Sequence, residues 1–163
     1  MTLKSYNTYD LAANRTQEKI SAATTNFGYN SVNELIDRSG AQGDATFTYD
    51  LNGSLISDGT RTFEWDGANR LVAVVIGTHR SEFSYDGIGR RARIVEKDNS
   101  VITSEHTYVW CGGEICEVRD ASGATVQKRF YQQGEQVNGA TFYYTFDHLG
   151  SVRDLLEFRG GRL

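Results

Sequence analysis

Residues 47–55, FTYDLNGSL, return along the chain in variant form, as FEWDGANRL from Phe63 and FSYDGIGRR from Phe83. Looser copies begin at Tyr9 (YDLAANR), Phe27 (FGYNSVNEL) and Tyr144 (YTFDHLGSV). The shared unit is an aromatic residue, any residue, a second aromatic, Asp or Asn, two variable residues, Gly or Asn, and a residue that resumes the strand. Side chains two apart in an extended strand share a face. Phe27 with Tyr29, Phe47 with Tyr49, Phe63 with Trp65, Phe83 with Tyr85, Tyr108 with Trp110 and Tyr144 with Phe146 therefore each set two rings on one side. These pairs are expected to stack from one unit to the next as an aromatic ladder.

The polar residue that follows, at Asp10, Asn30, Asp50, Asp66, Asp86 and Asp147, suits the first position of a type I turn, where its side chain accepts from the turn's own N–H groups. Three residues further on, Asn33, Gly53, Asn69, Gly89 and Gly150 tolerate positive φ, and Asn14 is expected to serve the same purpose at the fourth residue of its copy. A type I turn closed by such a residue makes a tight hairpin with a glycine-type bulge. The rival reading makes these aspartates catalytic or metal-binding. Their repetition at one turn position favours the structural role.

Counted from the second aromatic, the copies fall at Tyr9, Tyr29, Tyr49, Trp65, Tyr85, Trp110, Tyr131 and Phe146, a period of about 20 residues. Each unit buries its face only by stacking on its neighbours. The predicted fold is all-β, an array of antiparallel β-hairpins in a twisted, curved sheet. Residues 1–163 read as a single domain, with weaker repeats over 1–40, the best repeats over 45–98 and a distinct end over 101–157. Leu71 to Ile76, continuously apolar, is expected to be covered on both faces. Arg90, Arg91 and Arg93 are expected on a solvated strand face opposite Glu82 and Asp86, and Asp120 to Gly123 reads as a further turn.

Composition narrows the partners. A chain of 163 residues can bury roughly two thirds of its unfolded surface, and its 12% aromatic content favours strands. A net charge of −4, with Lys and Arg scattered, offers no basic patch for a phosphate backbone. No apolar run reaches membrane-spanning length, and the first twenty residues lack the apolar centre of a secretory signal. Export, where it occurs, is directed from outside this chain.

Both cysteines lie in YVWCGGEICEV, with Cys111 where the other copies have Asp. A two-residue turn at Gly112 and Gly113 pairs Trp110 with Ile115 and Tyr108 with Glu117. Cys111 and Cys116 then sit diagonally, too far apart for an unstrained disulfide, and free thiols are expected. His79, His106 and His148 show no zinc-ligand spacing with them, so no metal or other cofactor is expected. Asp147, His148 and Ser151 crowd around one turn and cannot aim at a common substrate atom.

The repeated unit resembles the YD repeats of rearrangement hotspot (Rhs) proteins, insecticidal toxin-complex C components and teneurins. FYYTFDHLGSVRDLLEF resembles the most specific part of the Rhs-associated core sequence, and the likeness covers essentially the whole chain. It implies a ribbon of hairpins wound into a shell, of which this chain is a segment. In the bacterial toxins that shell encloses a C-terminal effector, and the core sequence continues into an aspartyl autoprotease. No DPxG-type motif and no effector follow here, and the FRGGRL tail brings no closing element, so autoproteolysis, toxicity and full encapsulation are not implied. The expected function is a non-catalytic structural module, a segment of an Rhs-type shell. It would assemble through its sheet edges with itself, as a homo-oligomer or filament, or with a longer YD-repeat chain, in an effector-encapsulating or cell-surface setting. The alternative is an extracellular carbohydrate- or protein-binding module that uses exposed Tyr and Trp rings, and the exposure of Trp65 and Trp110 separates the two. The relatives act outside the producing cell, which makes a secreted or surface location the implied one.

Overall fold

In the computed structural model, which describes residues 4–158, strand follows strand and no helix intervenes among the described residues. The portion of the FRGGRL tail beyond Phe158 lies outside the described residues. Contacts group the chain into two compact units that meet in sequence at Arg80 and Ser81.

The first unit opens with β1 (Ser5–Tyr9), β2 (Arg15–Ile20), β3 (Ala23–Tyr29), β4 (Leu35–Gly40) and β5 (Ala45–Thr46), an antiparallel sheet in sequence order. Phe47 then interrupts the strand, its N–H bonded to the Ile36 carbonyl at 2.9 Å. Beyond it, β6 (Thr48–Tyr49), β7 (Leu55–Ser57), β8 (Thr62–Trp65) and β9 (Leu71–Ile76) pair in succession. Residues 31–33, in a stretch that could be misread as a helical turn, form the turn between β3 and β4.

β10 (His79–Tyr85) leads into the second unit, which continues with β11 (Arg91–Asp98), β12 (Val101–Cys111), β13 (Glu114–Arg119), β14 (Val126–Tyr131), β15 (Gly134–Val137), β16 (Ala140–Phe146) and β17 (Val152–Glu157). Here too each strand lies beside its sequence neighbour. The all-β hairpin array is thus the fold observed.

The hairpins share a second irregularity. Register slips immediately before Tyr9, Tyr29, Tyr49, Trp65, Trp110 and Phe146, the second aromatics of six copies, while Tyr131 pairs with Gly134 without a slip. Tyr49 pairs with Leu55 while Thr48 pairs with Ser57, which leaves Ile56 as a bulge. Bulges increase local twist, so the twist is built in at the same step of these six hairpins.

Burial is shallower than expected. The accessible surface is 11427 Å², against about 8100 Å² for a compact monomer of this mass and about 26000 Å² unfolded, so nearer half than two thirds is buried. Among the described residues Ala73 and Val95 are the only buried apolar side chains. β9 is not covered on both faces: Ala73 is buried, its neighbours are half-buried, and Ile76 is 47% exposed. The reason is the connectivity, since strands packed mainly against sequence neighbours form a layer that cannot cover both its own faces.

Candidate functional site

The feature that recurs with constant geometry is the turn. At Asp50 the backbone N–H donates to the Ser54 carbonyl at 2.9 Å and the Gly53 N–H to the Asp50 carbonyl at 3.1 Å. The Asp50 carboxylate accepts from the N–H groups of Asn52 and Ser54, both at 2.9 Å. Asp10, Asn30, Asp66, Asp86 and Asp147 repeat this arrangement. Asn33, Gly53, Asn69, Gly89 and Gly150 all have positive φ.

In the first hairpin the positive φ belongs to Ala13 (65°) and not, as expected, to Asn14. The count runs from the aspartate, so the third residue takes the left-handed conformation whatever its type. Asn14 instead closes the turn, its side-chain amide donating to Asp10 Oδ2 at 3.0 Å. Arg70 and Arg90 do the same at Asp66 and Asp86, through Nε at 2.8 Å. These side-chain bonds, followed by the backbone N–H groups, hold Asp66 and Asp86 below the ordinary carboxylate pKa. Asp120 opens a variant turn one residue longer, closed on Thr125. The Ser122 hydroxyl first, and Thr125 next, push its pKa down to about 2. A further turn, at Asp58, went unread: Thr60 and Arg61 donate their N–H groups to its carboxylate. The Asp-Gly dipeptide there was the available signal.

Four of the second aromatics, Tyr29, Tyr49, Trp65 and Trp110, reach the preceding hairpin through a hydrogen bond. The Tyr29 hydroxyl donates to the Arg15 carbonyl at 3.2 Å and the Tyr49 hydroxyl to Leu35 at 2.9 Å. The indole N–H groups of Trp65 and Trp110 donate to the carbonyls of Leu55 and Arg91 at 2.8 and 2.9 Å. Each acceptor stands five residues after the turn residue of the preceding hairpin. Among the first aromatics, Phe27, Phe63 and Phe83 are half-buried with Arg15, Arg61 and Arg91 over their rings at 4.6, 5.6 and 5.3 Å. Phe47, Tyr85, Tyr108 and Tyr144 are half-buried and Phe146 is 49% exposed. Tyr144 and Phe146 do meet edge to face, at 6.1 Å, within one strand. Trp65 and Trp110 are half-buried, neither dry core nor open platform.

The cysteines are joined, contrary to expectation. Cys111 and Cys116 form a disulfide across 5.6 Å between Cα atoms. Trp110 pairs with Ile115 as predicted, but Val109 pairs with Glu117 and Tyr108 with Val118, so Cys116 is the bulged residue. The bulge shortens the diagonal that made a bridge look too wide. The arginine cluster is also redistributed. Arg93 pairs with Glu105 at 2.7 Å and Arg90 reaches the Gly112 carbonyl at 2.7 Å, while Glu82 pairs with Lys97 at 2.8 Å.

One polar group escaped the sequence reading. Glu135 is only 7% exposed, held by Lys128 Nζ at 2.8 Å and by the Tyr144 hydroxyl at 2.9 Å. Burial, then the bond to Glu135, push the Tyr144 pKa up to about 12. A glutamate facing Phe142 across the ladder was the available sign. The Asp147 carboxylate, meanwhile, accepts from the N–H groups of Leu149 and Ser151, a turn and no hydrolytic arrangement.

A fixed turn, a fixed bulge and a fixed link to the preceding hairpin define a β-hairpin repeat protein of the YD type. The chain belongs to the Teneurin YD-shell family, whose pattern matches residues 3–162. It is similar to the tRNA3(Ser)-specific nuclease WapA of Bacillus spizizenii, at 26% identity over 96% of this chain and 7% of that protein. Its fold is similar to a chain of the Photorhabdus luminescens Tc holotoxin pore, with TM-score 0.60, 14% identity and coverage of 83% of this chain and 9% of that one. The crystal structure of TcdB2-TccC3-Cdc42 gives a TM-score of 0.61 and 13% identity, with coverage of 96% and 9%. The chain thus spans under a tenth of the length of these relatives, and it is a structural YD-shell module.

Proposed function

We propose that this module is non-catalytic and acts by pairing its sheet edges with a second copy of itself or with a longer YD-repeat chain, in an effector-encapsulating or cell-surface setting. The turn residues and the aromatic pairs serve that role by fixing each hairpin and tying it to the last. The observation that carries the reading is the state of the outermost strands: β1 and β17 are exposed at every position. β17 adds apolar side chains to its open backbone edge, with Val152, Leu155 and Leu156 each more than half exposed. An edge strand whose outer backbone side is unpaired and whose side chains are apolar is a template for another strand. Sedimentation velocity and electron microscopy over a concentration series test this. Concentration-dependent oligomers or filaments are expected, and a monomer throughout that also ignores a longer YD-repeat chain overturns it.

A second reading, a carbohydrate-binding face, draws support from a recess of about 470 Å³ lined by Tyr85, Arg90, Tyr108 and Trp110 among others. Two of its polar groups are already engaged, Arg90 by Asp86 and Gly112 and the Trp110 N–H by the Arg91 carbonyl. These two groups are thereby withdrawn from a sugar, which favours assembly.

A further inference from the structure

We propose that the Cys111–Cys116 disulfide is a reversible thiol-exchange site, at which a small neutral or cationic thiol attacks Cys111 and so releases the tip of its hairpin. The inference is independent of edge pairing. This hairpin lies inside the array, with β11 on one side and β14 on the other, so its neighbours in the sheet do not depend on where the chain begins or ends. Three observations meet at the bridge. The two sulfurs differ in access, since Cys111 is exposed at the turn while Cys116 is half-buried in the bulge. A recess of about 380 Å³ opens onto both, lined also by Glu114, Phe130 and Tyr131. Among its described lining residues Glu114 alone is charged. Access thus directs the incoming thiolate to Cys111, and the carboxylate beside it disfavours an attacker of negative charge. Exposed disulfides are the labile members of their class.

The thiolate bonds to Cys111 Sγ as the bond to Cys116 breaks, and Cys116 leaves as a thiolate. A second molecule of the thiol attacks the mixed disulfide at the first one's sulfur, and Cys111 leaves in turn. Two thiols are thereby oxidised to their symmetrical disulfide for one bridge reduced. Backbone pairing of Trp110 with Ile115 and of Val109 with Glu117 keeps the two protein thiols close, which makes the reverse step easy. What the exchange releases is the turn. Cys111 stands where the other hairpins carry the clamping aspartate, so with the bridge open the tip keeps no side-chain clamp of its own. Its tie to the Asp86 hairpin, from Arg90 Nη1 to the Gly112 carbonyl at 2.7 Å, loses a fixed acceptor.

The test treats the native full chain with cysteamine, mercaptoethanol and thioglycolate, which are cationic, neutral and anionic. Bridge opening is read by mass after alkylation with iodoacetamide, and each rate is divided by that thiol's rate with a neutral small-molecule disulfide. The bridge should open without denaturant, with cysteamine about threefold ahead of thioglycolate, and Glu114→Gln should remove most of that difference. Peptide mapping after an acid quench should find the mixed disulfide on Cys111. Amide exchange should rise at Gly112 and Gly113 while circular dichroism shows the strands intact, and an excess of the thiol's own symmetrical disulfide should restore the bridge. A bridge that resists all three thiols until the chain is unfolded, a mixed disulfide on Cys116, or a sheet that melts on reduction overturns the exchange site. An unchanged ordering of the thiols in Glu114→Gln overturns the selection by charge.

Discussion

The hairpin closed by Asp66 and the hairpin closed by Cys111 and Cys116 solve one problem with different chemistry. In the first, a carboxylate takes two backbone N–H groups and an arginine Nε. In the second, the turn is a residue shorter, no carboxylate stands at its start, and a disulfide bridges the turn position to the bulge. Both place a tryptophan just before the closing residue, and both tryptophans donate to an earlier hairpin. The link between hairpins is thus kept while the clamp within the hairpin varies, which marks the link as the more demanding feature of the repeat.

That ranking can be broken by removing the two tryptophans. Trp65→Ala and Trp110→Ala should each cost about 3 kcal/mol, through lost packing and a lost hydrogen bond, as read from denaturant unfolding followed by circular dichroism. A large difference between them would mean that the clamp reaches into the link. Reducing the disulfide comes next. Closing so short a loop is worth about 2 kcal/mol, and the loss should appear as faster amide exchange confined to β12 and β13. Spread of that exchange into the Asp66 hairpin would show that the clamps are not local.

Smaller effects sharpen the aspartate side. Asp50→Ala should destabilise by about 1 kcal/mol, because it strands two N–H groups. Ala13→Gly should stabilise by about 1 kcal/mol, since a left-handed φ strains alanine while glycine adopts it freely. A thermal melt decides the sign. If Ala13→Gly lowers the melting temperature, the turn count from Asp10 is misassigned.

Much of this was legible in the sequence because the turn chemistry is local. An aspartate and a residue tolerant of positive φ three places later specify a hairpin without reference to the rest of the chain, and Gly53, Asn69 and Gly89 obey that count. What escaped depends on register. The bulge opposite Tyr9, Tyr29, Tyr49, Trp65 and Trp110 has no residue signature, as Thr16, Ile36, Ile56, Val72 and Cys116 occupy it. Without the bulge the cysteines look too far apart. The hydrogen bonds from the second aromatics were unread for a related reason. The choice of Tyr or Trp over Phe at Tyr29, Tyr49, Trp65 and Trp110 reflects a hydroxyl or N–H that needs a carbonyl on a neighbouring hairpin, and the distance to that carbonyl is set by the same bulge.

Acid should separate the two clamps. Asp66 and Asp86 have folded pKa values held below 3.8 by their arginine partners and then by turn N–H groups, and Asp120 lies at about 2. A depressed folded pKa means that the contribution is fully present above the unfolded value and is lost as pH falls through the folded one. The window for Asp120 therefore runs from 3.8 down to about 2, and those of Asp66 and Asp86 begin at the same upper limit. The disulfide has no titrating group in that range. The amides of Ala68, Arg70, Ile88 and Arg90 bond directly to the two carboxylates. After correction for intrinsic exchange, their protection should fall across this window while the ladder between β12 and β13 keeps its own. Protection lost in step at both hairpins would mean that acid unfolds the sheet as a whole, and that the carboxylate clamps are not separate local devices.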